Sequence, residues 1–201
     1  MSDIPTDSVD QSRRTWVAIT AGAGAVGAAA VAVPFVSTFA PSERAKAAGA
    51  AVEADISALQ PGEKMTVEWR GKPVWIVRRT AEQVAALKKL DPQLADPDSK
   101  RNPGELTPEY ARNTARSIKP EVLVAVGICS HLGCSPSDKF AVGAQPSLPD
   151  DWQGGFLCPC HGSTFDMAGR VFKNKPAPDN LEVPRHMYLS DTLLLIGEDK
   201  A

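Results

Sequence analysis

The chain has 201 residues, a net charge of −2 and 43% hydrophobic but only 6% aromatic residues. That length holds one modest globular domain plus an appendage. The near-neutral balance gives no electrostatic footprint for nucleic acid, and the shortage of rings predicts a mainly aliphatic core. Residues 1–14 end in Arg13-Arg14, and Ser12-Arg13-Arg14-Thr15-Trp16-Val17 reads as a twin-arginine export signal. No charged residue occurs from Thr15 through Ser42. The stretch from Trp16 to Ala40 covers roughly 37 Å as a helix, enough for a bilayer. A transmembrane helix is therefore expected over 15–41. This run is long for the apolar region of a cleaved signal peptide, so an uncleaved anchor is the preferred reading. Twin-arginine export carries folded proteins. It places the N-terminus in the cytoplasm, the helix in a bacterial inner membrane and the C-terminal head in the periplasm. Gly22, Gly24 and Gly27 give the helix a narrow surface, and Pro34 can kink its outer half.

Residues 42–54 read as a flexible linker of small residues in which Gly49 weakens helix. The head, 55–201, opens with Lys64 to Trp69 and Pro73 to Arg78, two runs with strand character joined by a hairpin turn at Arg70-Gly71-Lys72. Thr80 caps a helix over Ala81 to Leu90, with Val84, Leu87 and Leu90 on one face. Residues 91–113 are rich in proline and charge and read as irregular, with a short helical turn starting at Thr107 to Tyr110. Glu121 to Ile128 is an apolar buried strand. Gly154 to Leu157, Arg170 to Phe172, Leu181 to Val183 and Met187 to Ile196 complete a set of short strands. Short strands between glycine and proline turns predict an all-β head, an antiparallel sandwich or barrel.

Chemistry concentrates in two boxes, Cys129-Ser130-His131-Leu132-Gly133-Cys134 and Cys158-Pro159-Cys160-His161-Gly162-Ser163. They hold all four cysteines and two of the three histidines. The third histidine, His186, reads as an ordinary surface or loop residue. The predicted strands at Glu121 to Ile128 and Gly154 to Leu157 each run straight into a box. Two thiolates and two imidazoles in close pairs suit the two irons of a 2Fe–2S cluster. One cysteine per box is left over, so a disulfide between the boxes is also open. A Cys2His2 zinc site is the competing metal reading, although zinc sites usually pair like with like. Two plain disulfides would leave the histidine offsets unexplained. Gly133 and Gly162 suit tight loop geometry.

This pair of boxes resembles the Rieske iron–sulfur proteins of quinol–cytochrome c reductase, the cytochrome bc1 complex. The resemblance takes in the apolar N-terminal segment, the linker, both boxes and Lys175-Pro176-Ala177-Pro178 at the place of the family's proline loop. It implies one 2Fe–2S cluster bound within about residues 121–180. Cys129 and Cys158 would then be ligands of one iron, and His131 and His161 of the other. It implies a disulfide between Cys134 and Cys160, and His161 as the quinol contact and proton acceptor. By the same resemblance Leu132 covers the cluster and the Ser163 hydroxyl tunes it. Phe165 stands where high-potential members carry tyrosine, which implies a lower midpoint potential. The implied partners are cytochrome b, cytochrome c1 and ubiquinol, within a membrane-anchored, dimeric, proton-translocating reductase, and the linker is the implied hinge of a swinging head. Rieske oxygenases or their ferredoxins, and the Rieske subunit of an arsenite oxidase, are the neighbouring alternatives. The first usually lacks the extra cysteine pair and the anchor. The second would partner a molybdenum subunit.

Overall fold

The structure, a computed structural model, describes residues 10–101 and 106–199. Most of the expected 1–14 segment, the middle of the irregular 91–113 stretch and the last two residues lie outside that range. The chain divides into two compact units, one through Ala47 and the other from Ala48.

The first unit is dominated by helix α1, Gln11–Ser37. Asp10 caps it by accepting the N–H groups of Ser12 and Arg13, which satisfies donors orphaned at a helix start. Thr15 and Thr20 turn their hydroxyls back onto the carbonyls of Gln11 and Trp16. They thus hide polarity that a lipid-facing helix could not otherwise place. All of α1 is exposed, valines and phenylalanines included, and it is long and apolar enough to cross a membrane. Pro34 lies inside the helix without ending it. A short helix α2, Glu43–Ala48, begins the expected linker. The linker ends sooner than the sequence suggested. Val52–Ala54 already belong to strand β1, Val52–Asp55, paired with residues 194–196. Burial of Ala54 on that strand decides the point.

The second unit contains three antiparallel three-stranded sheets among the described residues. The middle sheet joins β2 (Lys64–Trp69), β3 (Lys72–Arg78) and β4 (Val122–Val126) in that order. Arg70 and Gly71 both take positive φ, 53° and 71°. That is the backbone of a two-residue turn matching the strand twist. Between β3 and β4 lies α3, Ala81–Leu90, held by a reciprocal capping box between Thr80 and Gln83. Leu87 and Leu90 are buried as expected, but Gln83 takes the third buried place and Val84 is only half-buried. The cluster-side sheet joins β5 (Ser137–Lys139), β6 (Gly155–Leu157) and β7 (Thr164–Asp166). The third sheet runs β1, then β9 (Leu193–Ile196), then β8 (His186–Tyr188).

Strand periodicity of two builds two cores on the faces of the middle sheet. Val74, Ile76, Val122, Val124 and Val126 face Leu194 and Ile196 of β9. Trp75, Val77, Leu123 and Ala125 face Phe156, Phe165 and the buried cysteines. All five residues of β4 are buried because both faces are covered. The expected strands at Arg170 to Phe172 and Leu181 to Val183 do not form. Val171 makes a single bridge to Phe165, and Glu182 gives its carbonyl to Val126. Prolines at 176, 178 and 184 interrupt any longer ladder. His186 is not a surface residue: it is 1% exposed, with Nδ1 2.8 Å from the Pro184 carbonyl.

Candidate metal centre

Each box is a loop between elements of the head, and the two loops share one backbone frame. Cys129 N–H donates to the carbonyl of Cys134 at 2.8 Å, and Gly133 N–H donates back to Cys129 at 3.1 Å. Cys158 N–H donates to Ser163 at 2.7 Å, and Gly162 N–H to Cys158 at 3.0 Å. The i+5 and i+4 bonds close each hexapeptide around its first cysteine. Gly133 and Gly162 sit at φ of 81° and 74°, the left-handed region that glycine enters without strain. β4 leads into the first loop and the β6–β7 hairpin presents the second. Before the first box, Gly127 lies flat against the Trp75 indole, which occupies the space of a side chain.

Identical frames put different side chains in matching places. Cys129 and Cys158 are both buried and free. Cys134 and Cys160 are joined in a disulfide that ties the loops together. Cys134, Cys158 and Cys160 sulfurs lie within 4.8 Å of one another. They are no thiolate triad, because two of them are spent in the disulfide. The His131 and His161 rings stand edge to face, centroids 4.7 Å apart. His131 Nδ1 is buried without any hydrogen-bond partner, although buried nitrogens are normally satisfied. His161 is exposed, and Leu132, which follows His131 in the first box, is 71% exposed.

Burial pushes the Cys129 thiol up. The His131 backbone N–H and the Ser163 hydroxyl pull the other way, and the adjacent Cys158 thiol adds to the rise. A thiol that resists ionisation in a dry pocket with a second thiol and two imidazoles is poorly suited to surface chemistry and well suited to a metal, which supplies the missing positive charge. Two buried thiols, two facing imidazoles and an orphaned ring nitrogen fit a 2Fe–2S cluster of the mixed-ligand kind.

A third loop closes the site. Ser163 Oγ accepts the Ala177 N–H at 2.9 Å, so its own proton is free for the sulfur side. Ser130 Oγ donates to the Asp179 carbonyl at 2.7 Å. Asn180 is buried and accepts the Val171 N–H while donating to the Asp96 carbonyl. Thus Lys175-Pro-Ala-Pro178 is clipped to each box by one serine. Sequence reading found Ser163 by resemblance and passed over Ser130, Asp179 and Asn180. No spacing marks them, since the Ser130–Asp179 and Asn180–Asp96 bonds span 49 and 84 residues. Phe165 is wholly buried opposite Phe156 and offers no donor.

Comparison with known proteins agrees with this geometry. Residues 110–185 match the Rieske [2Fe-2S] domain, and residues 5–42 match the "Ubiquitinol-cytochrome C reductase Fe-S subunit TAT signal". The ubiquinol-cytochrome c reductase iron-sulfur subunit of Allochromatium vinosum is 58% identical over 188 residues, which is 94% of this chain and 89% of that one. The chain belongs to that family. The Blastochloris viridis subunit of the same description is 40% identical, covering 96% of each chain. A solved structure, "Hyperthermophilic respiratory Complex III", aligns with a TM-score of 0.47 at 26% identity, covering 88% of this chain and 98% of that one. As a member of the Rieske family the chain carries one 2Fe–2S cluster. Its export signal and apolar helix fit a membrane-anchored bacterial subunit.

Proposed function

We propose that this chain is the Rieske electron-transfer subunit of a ubiquinol–cytochrome c reductase, taking one electron from ubiquinol at cytochrome b and passing it to cytochrome c1. The observation that carries this is the convergence of two free buried thiols and two imidazoles on loops joined by a disulfide. Family membership assigns that constellation to a quinol reductase. Cys129 and Cys158 hold one iron and His131 and His161 the other. When bound, the cluster supplies a one-electron acceptor whose potential histidine ligation raises into the range of about −150 to +300 mV.

The chain's own residues do the rest. His161, on the exposed side, accepts the quinol hydroxyl hydrogen bond and its proton. Leu132, exposed next to His131 in the first box, covers the centre and keeps water from that contact. The Cys134–Cys160 disulfide fixes the distance between loops. The Ser163 proton, free because its oxygen is occupied by Ala177, points a dipole at the sulfur ligands and favours the more negative reduced state. Residues 42–51 serve as the hinge on which the periplasmic head moves between partners, with α1 crossing the inner membrane from a cytoplasmic N-terminus, in a dimeric complex.

The test uses the full chain extracted from membranes. The reduced protein should give the paramagnetic resonance signal of a 2Fe–2S centre with two irons per chain, and should co-purify with the haems of cytochromes b and c1. Material that contains zinc, or that co-purifies with a molybdenum subunit and lacks quinol activity, would overturn the reading.

A further inference from the structure

Three guanidinium groups lie inside the head. Arg79, Arg116 and Arg170 are each at most 2% exposed. Arg170 is matched by carboxylates. Its Nη2 meets Asp166 Oδ2 and its Nη1 meets Asp91 Oδ1, both at 2.7 Å. The other two touch no carboxylate among the described residues. Arg79 donates to the carbonyls of Ala115 and Met167 and to Ser117 Oγ. Arg116 donates to the carbonyls of Ala168, Gly169 and Leu181 and to Thr107 Oγ1. The Nε of each has no partner among the described residues. Burial lowers both groups to about 10, with the Asp166 carboxylate the main charge opposing that fall. Both are therefore cations at neutral pH.

A buried cation without an anion in contact is costly. Tying down a turn does not need one, because neutral amide or hydroxyl donors would serve the same carbonyls. Whatever the bonds to the turn contribute, the charge also acts at a distance. The turn these groups hold, Met167-Ala168-Gly169, follows directly on β7 and the second box. Asp166 is opposite Gly155 in the ladder, three strand residues before Cys158. At about 3.3 Å per residue that rung lies roughly 10 Å along the strand from Cys158, and the guanidiniums hydrogen-bond the turn just past it. A unit charge at that separation inside a protein changes the equilibrium for adding an electron by about tenfold.

We propose that Arg79 and Arg116 are potential-setting residues, whose buried charges stabilise the electron received at the centre formed by Cys129, His131, Cys158 and His161. The inference rests on the reading of that centre given above.

The experiment is a mediated redox titration of the full chain in detergent, followed by paramagnetic resonance, with iron content measured in parallel. Arg79→Gln and Arg116→Gln should each weaken the equilibrium constant for reduction about tenfold, 59 mV for one electron. Arg79→Lys and Arg116→Lys, which keep the charge and lose the fork of hydrogen bonds, should stay near the parent. Gln variants with full iron and an unchanged midpoint overturn the proposal, as do Lys variants that fall as far as Gln. If the Gln variants fail to fold, Ser117→Asp and Ser117→Asn decide. They differ by one charge placed on Arg79, so the Asp form should have the lower midpoint, and equal midpoints overturn the proposal. A parent chain without iron or signal sinks the reading of the centre instead.

Discussion

Toward β9 the middle sheet packs Val74, Ile76, Val122, Val124 and Val126 against Leu194 and Ile196, side chains without a polar atom. Toward β6 and β7 it packs Trp75 and Leu123 against Phe156, Phe165, Met167 and two cysteines. Beyond them lie a disulfide, buried serines and three buried arginines. The expectation of a mainly aliphatic core holds on both faces, but the second adds three aromatic rings, a methionine and two thiols. One side of the sheet is stabilised by apolar area. The other is fixed by directed bonds, which suits it to holding ligand atoms in place. Strands of only three residues suffice there because each is clamped from outside its ladder.

The contrast can be broken most severely at the disulfide. Cys134→Ala with Cys160→Ala should cost roughly 2–5 kcal/mol and release iron, read as loss of visible absorbance on mild warming. Retention of both irons at the parent's melting temperature would show that the hydrogen bonds hold the loops alone. On the other face, Ile76→Ala should cost about 2–5 kcal/mol in urea unfolding while leaving the resonance spectrum of the folded protein unchanged. A shifted spectrum would mean the two cores are not independent.

Ser163→Ala strands the buried Ala177 N–H, an expected loss of about 1–3 kcal/mol. It also removes the hydroxyl dipole, so the midpoint should fall. Phe165→Tyr should move it the opposite way, and voltammetry reads both. A serine variant with unchanged potential would restrict Ser163 to a structural clip. The smallest effect belongs to His186, outside both boxes. Burial lowers its pKa, so the unfolded chain binds the proton more tightly. The head should lose stability as pH drops below about 6.5, the ordinary histidine value, and His186→Phe should flatten that slope in thermal melts. A parent whose melting temperature is level from pH 7.5 to 5.5 excludes the effect.

Local elements were legible wherever one short segment carries its own reason. Lys64–Trp69 alternates, Arg70-Gly71 turns, and Thr80 caps α3. Three strands escaped. β5 and β7 are three residues each, too short for a period to register, and β1 sits in small residues that resemble linker. His186 escaped because its burial depends on Tyr110, whose hydroxyl accepts its backbone N–H from 76 residues away.

The sequence by itself determined the chemistry on offer. Paired cysteines and histidines in two hexapeptides, an uncharged N-terminal run and a twin arginine are local, and their spacing survives in a list of letters. Only the tertiary structure decided which cysteines are free and which are joined, and that Ser130 and Ser163 grip the third loop from either side. It also decided that, among the described residues, two of the three arginines in the core have no carboxylate in contact. Those outcomes depend on which carbonyls, sulfurs and hydroxyls meet across dozens of residues, and burial and distance are set by the fold as a whole.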